Sequence, residues 1–149
     1  MGARRVETLG ARETESLGAE LAAGLKDGDV VLVQGELGSG KTTLVRGAAR
    51  ALGVSDPVTS PTYSIGHRYR AVELTVSHLD LHRVAALEHE DPGLLADYLG
   101  PGRIAFVEWP PESDGELTSP ALRVTLSHRG GDRREIEVTD QRGISGRAD

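Results

Sequence analysis

A glycine-rich segment restricts the folds open to this 149-residue chain more than any other feature of its sequence. It reads Gly35-Glu36-Leu37-Gly38-Ser39-Gly40-Lys41-Thr42 and matches the pattern G-x-x-x-x-G-K-[S/T] at every fixed position. Glycines let the backbone turn successive N–H groups inward around an anion, and the lysine adds a positive charge. The segment, here called the phosphate loop, therefore predicts a site that binds the phosphates of a nucleoside triphosphate.

The flanking segments meet the structural requirement of such a loop. Residues 30–33 are an apolar, mostly β-branched run of the kind that forms a buried parallel strand. A helix is predicted over residues 41–52, with Gly53 as its C-terminal stop. The positive end of that helix would face the same phosphates. This context favours a nucleotide site over a glycine-rich turn that merely precedes a helix.

Patterns along the rest of the chain predict an α/β three-layer fold. A single domain is expected over residues 1–140, with a flexible tail over 141–149. Pro92-Gly93 should interrupt the third helix, and the last two strands surround Gly130-Gly131-Asp132, which predicts a C-terminal hairpin. The predicted strands are 4–8, 30–33, 63–69, 72–81, 103–109, 121–128 and 133–139, and the predicted helices are 12–25, 41–52 and part of 84–98.

The composition excludes several classes of site. The chain has no cysteine, which excludes disulfides, cysteine-based zinc sites, iron–sulfur clusters and cysteine nucleophiles. No apolar run approaches the roughly 20 residues of a membrane span, and no secretory signal is found, so a cytoplasmic protein without a membrane partner is expected. The net charge of −6 argues against a free-standing nucleic-acid binder, so any nucleic acid would be handled through a partner.

A phosphate loop needs an acidic residue nearby to hold Mg²⁺, and two strand ends supply candidates. Asp80 ends the run 76–80, and Glu108 ends the apolar run 104–107. Both lie near the C-terminal ends of predicted strands, where parallel strands border the crevice that binds ligands. Thr42 would offer its hydroxyl to the same ion. In an alternative interpretation, His78, Asp80 and His82 share one strand face and hold a transition metal.

Missing motifs narrow the class of nucleotide protein. Neither Lys26 nor Lys41 lies in the Asn/Thr-Lys-x-Asp motif of guanine-specific GTPases, and the Leu-Ser-Gly-Gly signature of ABC-type ATPases is absent. A small-molecule kinase stays open because Arg68, Arg70 and Arg83 are available for a lid. No arginine finger can be identified, so slow hydrolysis that a partner accelerates is expected.

Four segments, taken in order along the chain, closely resemble the TsaE family, also called YjeE. That family supplies the ATPase of the bacterial machinery that makes threonylcarbamoyladenosine beside the tRNA anticodon. The resemblance runs over residues 6–138 and implies a compact P-loop NTPase-like fold with a mixed, largely parallel central sheet, which binds ATP or ADP with Mg²⁺. The segments are residues 35–43, Ser60-Pro61-Thr62-Tyr63, His78-Leu79-Asp80-Leu81-His82-Arg83 and Val107-Glu108-Trp109-Pro110.

The resemblance also implies roles for individual residues. Lys41 would contact the β- and γ-phosphates, and Glu108 would orient the attacking water. Thr42, Asp80 and Glu108 would hold Mg²⁺. Thr62 lies in a segment that resembles a switch loop near the γ-phosphate, which makes the implied catalytic set Lys41, Thr62, Asp80 and Glu108. The implied nucleotide-binding set is Thr8, Glu36, Leu37, Gly38, Ser39, Gly40, Lys41, Thr42, Thr43 and Arg133.

Two departures from the family pattern accompany the resemblance. His82 stands where the family usually has tyrosine, and residues 87–99 diverge from it. The implied function is a Mg²⁺-dependent ATP-binding protein with weak, partner-activated ATPase activity. It would reset a threonylcarbamoyltransferase complex of two homologous partner proteins and would meet tRNA only through that complex. A small-molecule P-loop kinase and a nucleotide-gated binding module with negligible turnover stay open as alternatives.

Overall fold

The residues that the structure describes form one mixed sheet of seven strands, with four parallel strands at its centre. The computed structural model describes residues 3–36, 40–59, 66–80, 98–109 and 120–141, with the backbone alone at Asp80 and Trp109. In chain order the elements are β1 Ala3–Thr8, α1 Ala11–Ala22, β2 Val30–Gly35, α2 Lys41–Ala51, β3 Gly66–Arg70, β4 Thr75–Asp80, β5 Arg103–Trp109, β6 Leu122–His128 and β7 Arg134–Asp140.

The strand order across the sheet is β1-β7-β6-β2-β5-β4-β3. β2 lies between β5 and β6 and is parallel to both, and β4 is parallel to β5. The outer strands β1, β7 and β3 pair antiparallel with their neighbours, and β6 and β7 form the predicted C-terminal hairpin. The α/β class and the mixed, largely parallel central sheet are therefore confirmed.

Some predicted elements have different limits in the structure. α1 stops at Ala22 because the N–H groups of Gly24 and Leu25 bond three residues back and tighten the chain into a turn. The strand predicted over 72–81 begins at Thr75, because residues 71–74 form the turn between β3 and β4. Most of the helix predicted over 84–98, with its Pro92-Gly93 break, lies outside the described residues, as do residues 142–149 of the predicted tail.

The central strands are buried on both faces, which is why their sequences are continuous apolar runs. In β2, Val31 and Val33 belong to the larger core cluster, which also contains residues of α1 and α2. Val30 and Leu32 belong to a second cluster on the opposite face, together with Tyr98. Both described helices therefore cover one face of the sheet. Neither of them is long and apolar enough to cross a membrane.

Two glycines allow α1 and α2 to touch through their backbones. A Cβ atom added at Gly18 would lie 2.2 Å from the carbonyl oxygen of Leu44, and one added at Gly47 would lie 2.0 Å from that of Glu15. No side chain fits into such gaps, since real Cβ atoms do not approach other atoms this closely. The close contact fixes α2 against α1 and thereby fixes the direction in which the phosphate loop enters α2.

Candidate functional site

The phosphate loop connects the end of β2 to the beginning of α2, as the sequence predicts. β2 ends at Gly35, and α2 begins at Lys41. Gly40 caps the helix with φ +103°, a backbone conformation that L side chains rarely adopt. Leu37, Gly38 and Ser39 lie outside the described residues. The part that is described shows why glycine is needed at the last loop position.

Lys41 directs its ammonium group back toward the loop. Its Nζ lies 2.5 Å from the carbonyl oxygen of Gly35 and donates a second bond of 3.3 Å to that of Glu36. The first turn of α2 contains no acidic side chain. A cation and the positive end of a helix therefore coincide at this end of the sheet, which is the arrangement that binds phosphate groups.

A short chain of hydrogen bonds joins the phosphate loop to the neighbouring strand. The Thr42 hydroxyl, in the first turn of α2, donates to Oε2 of Glu108 at 3.1 Å. Nε2 of His78 in β4 lies 2.5 Å from the same oxygen. Glu108 is 8% exposed and His78 is fully buried, so the carboxylate is largely shielded from water. Three elements, α2, β5 and β4, thus converge on one carboxylate oxygen.

The surroundings of Glu108 favour its ionised form. Burial by itself would raise the pKa of this carboxyl group. The hydrogen bond and charge of His78, the Thr42 hydroxyl and the Lys41 ammonium together outweigh burial and hold the pKa below its ordinary value. Glu108 is therefore a carboxylate at neutral pH and accepts both of these hydrogen bonds.

The register of the sheet places the two predicted metal-binding acids side by side along the backbone. Asp80 pairs with Glu108 across β4 and β5, at the C-terminal ends of both strands. The pairing of β5 with β2 ends one residue later, at Trp109 and Gln34, next to the loop that follows β2. Thr62 and His82, which were predicted near the same site, lie outside the described residues.

Thr8 and Arg133, which the resemblance implies as nucleotide-binding residues, are engaged with other side chains. The buried Thr8 hydroxyl lies 2.8 Å from that of Thr14. Thr14 borders the loop, because its methyl carbon lies 3.9 Å from where a Cβ atom would stand on Gly40. Arg133 is exposed and bonds Glu7, with its Nη2 at 2.8 Å and its Nε at 3.1 Å.

The neighbouring Arg134 lies against the phosphate loop. Its Nε is 3.9 Å from the Cβ position of Gly40, and its Nη1 bonds the carbonyl oxygens of Gly131 and Arg133. Arg134 and Thr14 were not among the residues predicted to bind a nucleotide. Strand alternation is the signal for Arg134, because it opens β7 opposite Thr8 and adjacent residues of a strand point to opposite faces.

The oxygen and cationic groups of the site fit a magnesium nucleotide. Mg²⁺ prefers carboxylate and hydroxyl oxygens, and Thr42 and Glu108 offer both types within hydrogen-bonding distance of each other. Of the transition-metal alternative the structure describes the His78 side chain alone, whose Nε2 bonds Glu108, while the side chains of Asp80 and His82 lie outside the described residues. In the described part of the chain, no three His, Cys, Asp or Glu side chains form a group that could hold a metal ion.

Comparison with known proteins agrees with this geometry. The family model described as "Threonylcarbamoyl adenosine biosynthesis protein TsaE" matches residues 9–136. A Bacillus subtilis protein named "tRNA threonylcarbamoyladenosine biosynthesis protein TsaE" is 38% identical over 118 residues, which are 79% of this chain and 73% of that protein. A Streptomyces coelicolor protein of the same name is 37% identical over 128 residues, 82% and 86% of the two chains.

A solved structure has a similar fold. The crystal structure of Bacillus subtilis YdiB superposes with a TM-score of 0.68 at 27% identity and covers 99% of this chain and 97% of its own. The family model spans the sheet from just after β1 into β7, and so includes the phosphate loop, Thr42 and Glu108. A sequence match of this extent, on a fold and a site of this kind, shows that the chain belongs to the TsaE family.

Proposed function

We propose that this chain binds MgATP at the phosphate loop and hydrolyses it slowly, as the ATPase of tRNA threonylcarbamoyladenosine biosynthesis. The observation that carries the proposal is the hydrogen bond from Thr42 to Glu108. It connects the hydroxyl that follows the loop lysine to a buried carboxylate at a strand end, which is the pairing that holds Mg²⁺ in P-loop nucleotide hydrolases. The names of the related proteins supply the pathway.

Each described side chain of the site has a role that follows from its chemistry. Lys41 binds and neutralises the β- and γ-phosphates, together with the backbone N–H groups of the loop. Thr42 and Glu108 would hold Mg²⁺ together with Asp80, of which the structure describes the backbone alone. The bound ion would offset the negative charge that develops on the phosphate oxygens. Glu108 is ionised, so it can also accept a hydrogen bond from water and orient that water for attack.

Partner activation is part of the proposal. Phosphoryl transfer depends on positioning and on charge stabilisation, and an arginine supplied by a second protein commonly accelerates it by about 10³-fold or more. We expect this chain to act on a complex of two homologous partner proteins that transfers the threonylcarbamoyl group. Hydrolysis would reset the complex between turnovers, and tRNA would be bound by the complex.

The test is the release of free phosphate from MgATP by the purified chain, alone and with the two partner proteins. We expect slow release alone, stimulation of at least about 10-fold by the partners, and a loss of about 100-fold in Glu108→Gln. Glu7→Gln is the matched control, because it makes the same change at an exposed carboxylate outside the site.

Two results would contradict the proposal, and each would support a different function. ATP binding without phosphate release, under every combination of partners, would show a nucleotide-gated binding module. Phosphate transferred to an added acceptor, in place of free phosphate, would show a kinase. Loss of ATP binding in Lys41→Ala is expected under all three functions, so that variant tests the site and not the reaction.

A further inference from the structure

His78 is a fully buried histidine inside the sheet, and packing alone does not account for it. It lies in the middle of β4 with a relative exposure of 0%. In the described part of the chain, its Nδ1 is buried and has no hydrogen-bond partner. A buried polar atom without a partner destabilises the fold, and an apolar side chain of similar size would avoid that cost. The contact made by the other ring nitrogen is therefore the feature that needs a histidine.

That contact determines which nitrogen of the imidazole ring carries a proton. Nε2 lies 2.5 Å from Oε2 of Glu108. An ionised carboxylate can only accept hydrogen bonds, so Nε2 must carry the proton and donate it. Bonds from a nitrogen donor to a charged carboxylate are among the stronger hydrogen bonds in proteins.

The same carboxylate oxygen receives a second donor from a different element. The Thr42 hydroxyl of α2 and the His78 ring of β4 both donate to Oε2 of Glu108, which itself belongs to β5. A carboxylate held by one donor can rotate about its last side-chain bond. Two donors from separate elements fix that rotation and leave the second oxygen, Oε1, in a defined position.

We propose that His78 is a positioning residue that holds the Glu108 carboxylate against Thr42, so that the magnesium–nucleotide site is already assembled before the nucleotide binds. This inference rests on the proposed function of the same site. His78 is fully buried, so in this proposal it acts on the site through Glu108. Outer groups of this kind typically change metal affinity or activity by about 10- to 100-fold when they are removed.

Three variants separate positioning from general stability. His78→Met removes the donor and keeps an apolar side chain of similar size, whereas His78→Gln keeps an N–H near the position of Nε2. Ser77→Ala is the matched control, because Ser77 is equally buried in β4 and its hydroxyl donates to the Tyr98 carbonyl on the other face of the strand. Its loss should lower stability without affecting the site.

The affinity for a fluorescent ADP analogue is measured with Mg²⁺ and with EDTA, alongside the rate of ATP hydrolysis. In His78→Met we expect the gain in affinity that Mg²⁺ provides to shrink by about 10-fold, the affinity in EDTA to stay the same, and hydrolysis to slow by about 10-fold or more. His78→Gln should recover most of both losses. Equal Mg²⁺ effects in His78→Met and the unmodified protein would overturn the inference, as would equal losses in His78→Met and Ser77→Ala.

A measurement without nucleotide distinguishes this inference from the proposed function. Long-range ¹H–¹⁵N NMR of the nucleotide-free protein should show His78 with a proton on Nε2, and Glu108→Ala should change that signal. A proton on Nδ1 alone would overturn the inference even if ATP is hydrolysed. An Nε2–H signal in a protein that neither binds nor hydrolyses MgATP would overturn the proposed function instead.

Discussion

At the residue scale, the ionisation of Glu108 links the candidate site to the stability of the fold. The folded environment lowers the pKa of this carboxyl from its ordinary value of 4.5, despite its burial. A group with a lowered folded-state pKa stabilises the protein above its unfolded pKa, and this contribution is lost as the pH falls through the folded value. The stabilisation should therefore be complete at neutral pH and decrease in acid.

Glu108→Gln tests this linkage, because glutamine has nearly the same shape and its carbonyl oxygen can still accept from Thr42 and His78. We expect the unmodified protein to be the more stable of the two at pH 7. The difference in free energy of unfolding should be smaller at about pH 3.5 than at pH 7. Urea unfolding at both pH values measures that difference. A difference that is constant or larger in acid would contradict the pKa direction.

A second residue-scale prediction distinguishes the adjacent arginines of β7 and its preceding turn. Arg134 lies next to Gly40 of the phosphate loop, whereas Arg133 is bonded to the exposed Glu7. We expect Arg134→Ala to weaken ATP binding by about fivefold, a loss of about 1 kcal/mol, and Arg133→Ala to change it by less than about twofold. Isothermal titration calorimetry with MgATP analogues measures both affinities. A larger loss in Arg133→Ala than in Arg134→Ala would show that Arg133 is the nucleotide contact, as the resemblance implies.

At the element scale, the contact between α1 and α2 supports the loop from behind. A methyl group at Gly47 would lie 2.0 Å from the Glu15 carbonyl oxygen, which is backbone and cannot move aside cheaply. Gly47→Ala should therefore force the helices apart and cost about 3 kcal/mol or more in free energy of unfolding.

Gly10→Ala is the control, because a Cβ there meets nothing within 4 Å and the φ of 176° is extended backbone. Its cost should stay within about 1 kcal/mol, as expected for alanine at a helix N-cap. Thermal unfolding of both variants tests the difference. Similar stabilities would show that α1 and α2 can separate without loss.

The elements also show how far sequence reasoning reaches. The strand–loop–helix order of residues 30–52 was predictable, because a buried parallel strand and a phosphate loop both have strong local patterns. Glu108 was predictable as a strand-end acid. Its position close to Thr42 was also predictable, because both residues were assigned to one Mg²⁺ ion. Its bond to His78 was not, because the two residues are 30 apart in sequence and only the pairing of β4 with β5 brings them together. The end of α1 and the turn at 71–74 were not predicted either, because each is set by backbone hydrogen bonds between residues three apart, which the apolar pattern does not reveal.

At the scale of the whole molecule, the charges on the described surface indicate whether the chain can bind tRNA directly. The sheet edge formed by β1 and β7 presents arginines that are already paired with acids of the same surface. Arg5 lies within 3.7 Å of Glu135 and Glu137, Arg133 bonds Glu7, and Arg129 bonds Glu135. Such exposed pairs add little stability, about 0–1 kcal/mol each, but they neutralise the positive charge that a phosphate backbone would need.

The chain alone should therefore bind tRNA weakly, because its net charge is −6 and these paired arginines release few counterions from RNA. We expect no saturation below about 100 μM at about 150 mM salt, measured by the fluorescence anisotropy of labelled tRNA. The double variant Glu7→Gln, Glu135→Gln removes the partners of Arg133 and Arg129, and should strengthen binding at low salt. Submicromolar binding by the unmodified chain, with a steep salt dependence, would place a basic surface elsewhere in the chain and would contradict the expectation that tRNA is reached only through the partner complex.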